Sequence, residues 1–241
     1  MTTRLSVNIN KIALIRNSRG ENQPNLIQVA QDCERYGAEG ITVHPRPDQR
    51  HIRFTDIPLL KEIVTTEFNI EGYPSPEFIQ LVLDNKPDQV TLVPDPPNAL
   101  TSDTGWDVFA QEKILSEVIP MFKNAGIRVS LFLNPIAAYL DQVKLLGADR
   151  IELYTGHYAR TYPKDRDQEV EAHRATSLRA REMGLGLNAG HDLNLENLAY
   201  YQSHVVNLLE VSIGHALICD ALYVGLENAI GMYKVALRTS Y

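Results

Sequence analysis

Tyr36-Gly37-Ala38-Glu39-Gly40-Ile41-Thr42-Val43-His44-Pro45-Arg46-Pro47-Asp48-Gln49-Arg50-His51 reads as one complete structural joint. A helix ends at Tyr36, and Gly37 supplies the left-handed residue that closes many helices. Ile41 and Val43 then alternate with Thr42 and His44, the period-two pattern of a strand. Pro45 and Pro47 stop the strand, because neither has an N–H to give to a ladder. The loop beyond carries Arg46, Arg50, His51 and Arg53, a local excess of positive charge in a chain of net charge -7. A histidine at a strand's carboxyl end, followed by an arginine-rich loop, suits proton transfer on an anionic small molecule.

The same joint recurs. Asn124-Ala125-Gly126-Ile127-Arg128-Val129 and Leu146-Gly147-Ala148-Asp149-Arg150-Ile151 each give a helix end, a small-residue turn and a strand start. Working outward, strands are expected at 5–10, 68–72, 89–93, 128–133, 150–154, 184–189 and 208–213, besides the one that opens at Gly40. Helices are expected at 24–36, 56–66, 76–85, 107–124 with a break near Pro120, 136–146, from Asp165 to Met183, 195–202 and 216–237. The charged stretch Tyr158 to Asp165 reads as a loop. The segment from Pro94-Asp95-Pro96-Pro97 to Asp107 is the longest irregular one and the candidate for closing over a site. Eight β-α units in 241 residues predict a single-domain (β/α)8 barrel over residues 1–241, with extra helical segments. An open doubly wound sheet is the alternative.

Composition narrows the function. Hydrophobic residues make up 44% of the chain, enough for a sizeable core. The acidic balance argues against broad contact with nucleic acid or an anionic membrane. Cys33 and Cys219 stand apart from any Cys/His cluster, so neither reads as a metal ligand or redox centre. The start Met-Thr-Thr-Arg-Leu has no apolar signal core and no later run spans a bilayer, which predicts a reducing cytoplasm.

Strands buried on both faces of a parallel barrel are usually apolar throughout. These are not. One face carries Ser6, Asn8 and Asn10; then Thr42 and His44; Asn69 and Glu71; Ser130 and Asn134; Glu152; Asn188; Glu210 and Ser212. The opposite face is mostly Leu, Ile and Val, so the polar face must point into the barrel. Buried polar groups need partners. A hydrogen-bonded lining accounts for Ser6, Ser130 and Glu210, toward strand starts and middles. The carboxyl-end set Asn8, Asn10, His44, Glu71, Glu152, His191 and His215 lies where barrel enzymes build their sites. Gly190-His191-Asp192 and Gly214-His215 put glycine at a strand end before a helical segment, which suits phosphate. Arg19, Arg46 and His51 could make a second anion site across the mouth. A Schiff-base aldolase is disfavoured: only Lys11 lies at a strand end, and its parity turns it outward. A metal-dependent epimerase, with His44, Glu71, Glu152 and His191 as donors, stays open.

Val7-Asn8-Ile9-Asn10, Arg16-Asn17-Ser18-Arg19-Gly20, Gly40 to Arg46, Arg50-His51-Ile52, Asn69-Ile70-Glu71, Leu92-Val93-Pro94, Val129 to Phe132, Ile151 to Gly156, Leu187 to His191 and Ile213-Gly214-His215-Ala216 resemble, as an ordered set, the pyridoxine 5'-phosphate synthases. The resemblance spans nearly the whole chain. It implies a metal-independent, cofactor-free (β/α)8 barrel of vitamin B6 biosynthesis, generally a homo-octamer. It also implies condensation of 3-amino-2-oxopropyl phosphate with 1-deoxy-D-xylulose 5-phosphate to give pyridoxine 5'-phosphate, phosphate and water. On the matching positions, His44 and Glu71 resemble the proton acceptors, His191 the proton donor and Glu152 the transition-state stabiliser. Asn8, Asp192, Gly214 and His215 match contacts to the aminoketone phosphate. Arg19, Arg46, His51 and Thr101 match contacts to the deoxyxylulose phosphate. Asn10 is carried as a substrate-binding position, although Asn10-Lys11 replaces a frequent Asp-His and so removes a carboxylate. Asp192 stands where a glycine is usual.

Overall fold

In the computed structural model, which describes residues 2–96, 99 and 101–239, eight parallel strands close into a barrel in sequence order. They are β1 (Arg4–Asn8), β2 (Gly40–Val43), β3 (Glu67–Gly72), β4 (Gln89–Leu92), β5 (Arg128–Leu133), β6 (Arg150–Tyr154), β7 (Gly186–Gly190) and β8 (Leu208–Ile213). Closure is direct: β8 pairs with β1, placing Glu210 beside Arg4 and Ser212 beside Ser6. That ladder excludes the open doubly wound sheet and leaves no strand edge exposed. Pro97, part of the irregular proline run, lies outside the described residues.

The helices are α1 (Asn10–Asn17), α2 (Leu26–Arg35), α3 (Asp56–Ile63), α4 (Pro76–Asn85), α5 (Glu112–Asn124), α6 (Leu140–Leu146), α7 (Gly156–Glu182), α8 (Leu198–His204), α9 (His215–Val224) and α10 (Leu226–Ala236). Local chemistry sets their starts. The Asn25 side chain accepts the N–H groups of Ile27 and Gln28, and the Ser75 hydroxyl accepts that of Phe78 ahead of Pro76. None of the described helices is long and apolar enough to cross a membrane.

Four expectations are corrected. Asn10 does not close β1; it opens α1, because Ile9 leaves the extended region (φ -92°, ψ 12°) and Asn8 Oδ1 accepts the Asn10 N–H at 3.0 Å. The helix expected from Asp107 begins at Glu112, since the Asp107 carboxylate holds a turn by accepting the N–H groups of Phe109 and Ala110 at 3.1 and 3.0 Å; it then runs through Pro120 without ending. The charged stretch after Tyr158 is helical within α7, interrupted at Asp165 (φ -154°, ψ 70°). The final helix is two, parted at Gly225, whose φ of 82° a side chain tolerates poorly.

The outward strand faces (Leu5, Val7, Ile41, Val43, Phe68, Ile70, Val90, Leu92, Val129, Leu131) are fully buried against the helices. The inward faces are polar and bonded to one another. At the base, Glu67 gathers Arg4 (3.3 Å), Arg150 (3.6 Å) and Arg128. Above it, the Ser6 and Thr42 hydroxyls meet at 2.8 Å, Asn69 donates to Thr42, and Thr91 donates to Asn69 at 3.1 Å. On the other side Arg150 donates to Asn188, which donates to Glu210. The lining expected for Ser6 and Glu210 is present. Ser130 Oγ is buried without a hydrogen-bond partner among the described residues.

Candidate active site

β2 and β3 lie side by side, with Thr42 level with Asn69, so His44 and Glu71 leave the barrel together at its carboxyl end. His44 Nδ1 is 3.7 Å from Glu71 Oε2, and the two side chains are only 7% and 12% exposed. Asn10, from the first turn of α1, accepts the backbone N–H of His44 at 2.9 Å. Its amide therefore fixes the residue that opens the site. Burial, aided by Arg46, His51, Arg50 and His191, holds the His44 imidazolium well below the usual histidine range. Burial, then the Asp95 charge, pushes Glu71 up to about 8, against the opposing pull of Arg46. At neutral pH the pair is a neutral imidazole facing a carboxylic acid. Glu152 from β6 is also buried. Desolvation and Glu71 raise it well above the carboxylate range, and its Oε2 has no hydrogen-bond partner among the described residues.

β7 forms the facing wall. A Cβ on Gly190 would lie 2.1 Å from Glu152 Oε1, so only glycine lets Glu152 reach this position. His191 follows with φ 76°, a conformation that costs a β-carbon-bearing residue of order 1 kcal/mol or more and is retained at sites that need it. The Thr155 hydroxyl donates to the carbonyls of Gly190 (2.7 Å) and His191 (3.1 Å) and so holds the bend. The His191 ring lies edge-on to Tyr154 at 5.6 Å. Its Nε2 is 2.8 Å from Thr101 Oγ1 and its Nδ1 is 3.2 Å from Asp192 Oδ2. Asp192 thus turns its carboxylate back to His191, which holds that carboxyl below its ordinary range. Tyr154 joins Phe132 and Val93 in a small apolar cluster facing the mouth.

The rim is basic and braced. Arg16 and Asp56 form a buried two-pronged pair at 2.8 and 2.9 Å. Arg16 and Asn17 also donate to the His51 carbonyl, which fixes the loop from Arg46 to His51 against α1. His51 Nδ1 accepts the Ile52 N–H at 2.9 Å, and burial with Arg46 and Arg50 lowers its pKa to about 4. At neutral pH it can serve an anion only as a neutral donor through Nε2, not as a cation. Arg46 is buried and donates to Asp95 at 2.7 Å; Ser102 donates to the same oxygen at 2.5 Å. Arg19 is exposed after α1 and makes no hydrogen bond or ion pair among the described residues. On the other side, Gly214 precedes α9, and a Cβ there would lie 3.0 Å from Asn8 Cβ. His215 is exposed in the first turn, 3.7 Å from Cys219 Sγ at its nearest.

Sequence reasoning overlooked Asp95, Tyr154 and the Arg16–Asp56 brace. Parity could have found the first: Thr91, Val93 and Asp95 share one face. The brace joins residues 40 positions apart and carries no local signal. Among the described residues no three His, Cys, Asp or Glu side chains are grouped as a metal ion would need. The set supplies a buried imidazole, two buried carboxyl groups whose pKa values burial raises, and basic side chains at the rim.

Comparison with known proteins places this arrangement. The family model described as "Pyridoxal phosphate biosynthesis protein PdxJ" matches residues 5–239. A pyridoxine 5'-phosphate synthase of Cytophaga hutchinsonii is 58% identical over 236 residues, 98% of this chain and 99% of its own. One of Parabacteroides distasonis is 56% identical over 237 residues, covering 98% of this chain and all of that one. Among solved structures, a tryptophan synthase of Mycobacterium tuberculosis superposes over 99% of this chain and 94% of its own with a TM-score of 0.66, at 12% identity, a likeness of fold alone. With its whole barrel matched and relatives more than half identical from end to end, the chain belongs to the PdxJ family of pyridoxal phosphate biosynthesis proteins.

Proposed function

We propose that this protein condenses 3-amino-2-oxopropyl phosphate with 1-deoxy-D-xylulose 5-phosphate to form pyridoxine 5'-phosphate, phosphate and water, by general acid/base catalysis without a metal or cofactor. The observation that carries the reading is the buried His44–Glu71 pair, 3.7 Å apart, with Glu152 as a further buried carboxyl group. Amine attack, loss of water, loss of phosphate and ring closure each move a proton. A carboxyl group raised to about 8 becomes a strong base once it ionises. Glu71 and His44 accept protons, His191 donates from the facing wall, and Glu152 offers its acidic hydrogen to developing negative charge.

Two phosphorylated substrates need two anion sites. Gly214 and His215 at the start of α9, with Asn8 against Gly214 and the loop at Asp192, suit the aminoketone phosphate. Arg46, His51 and Thr101, with Arg19 from the loop after α1, suit the deoxyxylulose phosphate. Assembly into a homo-octamer belongs to the same proposal, and exposed Leu222, Tyr223 and Val235 on α9 and α10 favour contact between copies. So does a cytoplasmic location.

Purified protein mixed with both phosphorylated substrates should generate the pyridoxine 5'-phosphate chromophore, and neither substrate alone should. No product from the pair would sink the reading. Turnover should survive exhaustive chelation; a loss restored by a divalent ion would remove the metal-free part.

A further inference from the structure

Two strands extend their inward faces beyond the His44–Glu71 layer. On β2 the inward parity runs Thr42, His44, Arg46, and on β4 it runs Thr91, Val93, Asp95. β3 lies between them, with Glu71 level with Thr91 and the Val93 N–H donating to the Gly72 carbonyl at 3.0 Å. Arg46 and Asp95 therefore meet across the end of β3, one layer above Glu71. They meet at 2.7 Å, and each residue is at most 5% exposed. Ser102, equally buried, donates to the same Asp95 oxygen. A buried pair this close to a buried carboxyl group acts on it through a poorly screened field.

We propose that Asp95 is a positioning residue. Its carboxylate holds the Arg46 guanidinium in the mouth and sets a fixed negative charge over Glu71, so that an anion on Arg46 and a proton on Glu71 are linked. The inference rests on the acid/base role given to Glu71 above. Its physics is a balance of charges around Glu71. His44 faces it from β2, Arg46 from the loop after β2, Asp95 from the loop after β4, Glu152 from β6 and Glu210 from β8. Asp95 is the strongest of the charges that favour the protonated acid, and Arg46 opposes it. An anionic substrate that shares Arg46 weakens that opposition. Glu71 then keeps its proton to higher pH, and the base is at its strongest when the substrate is in place. Arg46 has other N–H groups besides the one given to Asp95, so the pair need not part for an anion to bind.

The test reads Glu71 directly and needs no turnover, so it is separate from the product assay. In infrared titration of the protein, the carboxylic-acid band of Glu71 is identified by its loss in Glu71→Gln. Asp95→Asn keeps the size and one acceptor oxygen while deleting the charge. The midpoint of the Glu71 band should then fall by about one pH unit or more. Asp95→Glu, which restores the charge, should return it to within about half a unit of the wild-type midpoint. An unchanged midpoint in Asp95→Asn overturns the proposal. Should that variant fail to fold, Ser102→Ala serves. It removes a donor that partly neutralises Asp95, so the midpoint should rise, and no change or a fall overturns the proposal. In the wild type, saturating inorganic phosphate should also raise the midpoint, and Arg46→Ala should abolish that rise.

Discussion

Glu71 shows how one residue acquires a function from its surroundings. In water its carboxyl group would ionise far below neutrality; in the barrel mouth, loss of hydration and the nearby Asp95 hold the proton to about 8. The proposed base must be ionised to act, so kcat/KM, which reports the free enzyme, should fall as pH drops through roughly this value, and the pH–rate profile of the purified protein checks it. Glu71→Gln keeps the shape and removes the base; His191→Asn keeps a polar group and removes the titrating ring. Each should lower kcat by roughly 10²–10⁴-fold, the usual worth of a positioned acid or base, with substrate affinity little changed. Single-turnover rates near the wild-type value would reduce the residue concerned to barrel lining. Both residues were legible in the sequence: Glu71 is polar, inward by parity and at a strand's carboxyl end, and His191 follows a glycine at the carboxyl end of its strand. The φ of 76° at His191 was not, since histidine carries no mark of it and the Thr155 hydroxyl that secures the bend lies 36 residues away.

Elements were legible where propensity, pattern and punctuation agreed. β5, β6, β8 and α4 stand as their sequences predict, each bounded by glycine, proline or a capping side chain. They were misjudged where a side chain overrode the pattern. Asn8 bends the chain and turns a seeming strand end, Asn10, into the start of α1, and that shift lets Asn10 accept the His44 N–H. The polar stretch within α7 looked like a loop because helix propensity is a weak guide when packing decides. The loop after β2 owes its shape to a distant element: Arg16 at the end of α1 grips Asp56 at the start of α3, and Asp56 also accepts the Arg53 N–H at 2.8 Å. Removing one partner strands a buried charge. Arg16→Ala should therefore destabilise the protein by about 3–5 kcal/mol in urea denaturation, far more than a surface pair would. On the proposed assignment it should also raise KM for 1-deoxy-D-xylulose 5-phosphate by a larger factor than KM for the aminoketone, because the released loop carries Arg46 and His51. Equal changes in both constants would mean that the brace serves stability alone.

The whole molecule is a barrel with an apolar coat and a polar axis. From the Glu67–arginine cluster at the base to the Arg46–Asp95 pair at the mouth, charged groups are spaced along the interior, and burial raises the pKa values of three carboxyl groups between them, Glu71, Glu152 and Glu210. That arrangement ties stability to pH. Glu210, 1% exposed, is pushed up to about 8 by burial and then by Glu67, against the pull of Arg150 and Arg4. Unfolded, it would titrate near 4.5. Below that value both states hold the proton, and the group's contribution to stability is fully present. Between about 4.5 and about 8 the native state binds more protons than the unfolded one, so stability falls as pH rises, and the loss is complete above the folded value. Glu71 and Glu152 act in the same direction. Glu210→Gln keeps an acceptor for the Asn188 amide and cannot ionise. It should match the wild type near pH 5 and exceed it near pH 9 by several kcal/mol, up to about 5, in urea denaturation. The stability difference between variant and wild type, followed from acid to alkaline pH, should grow through the interval in which Glu210 titrates. A difference that stays constant across that range would mean Glu210 holds its charge in the native barrel, paired to Arg150 and Arg4 strongly enough to offset its burial.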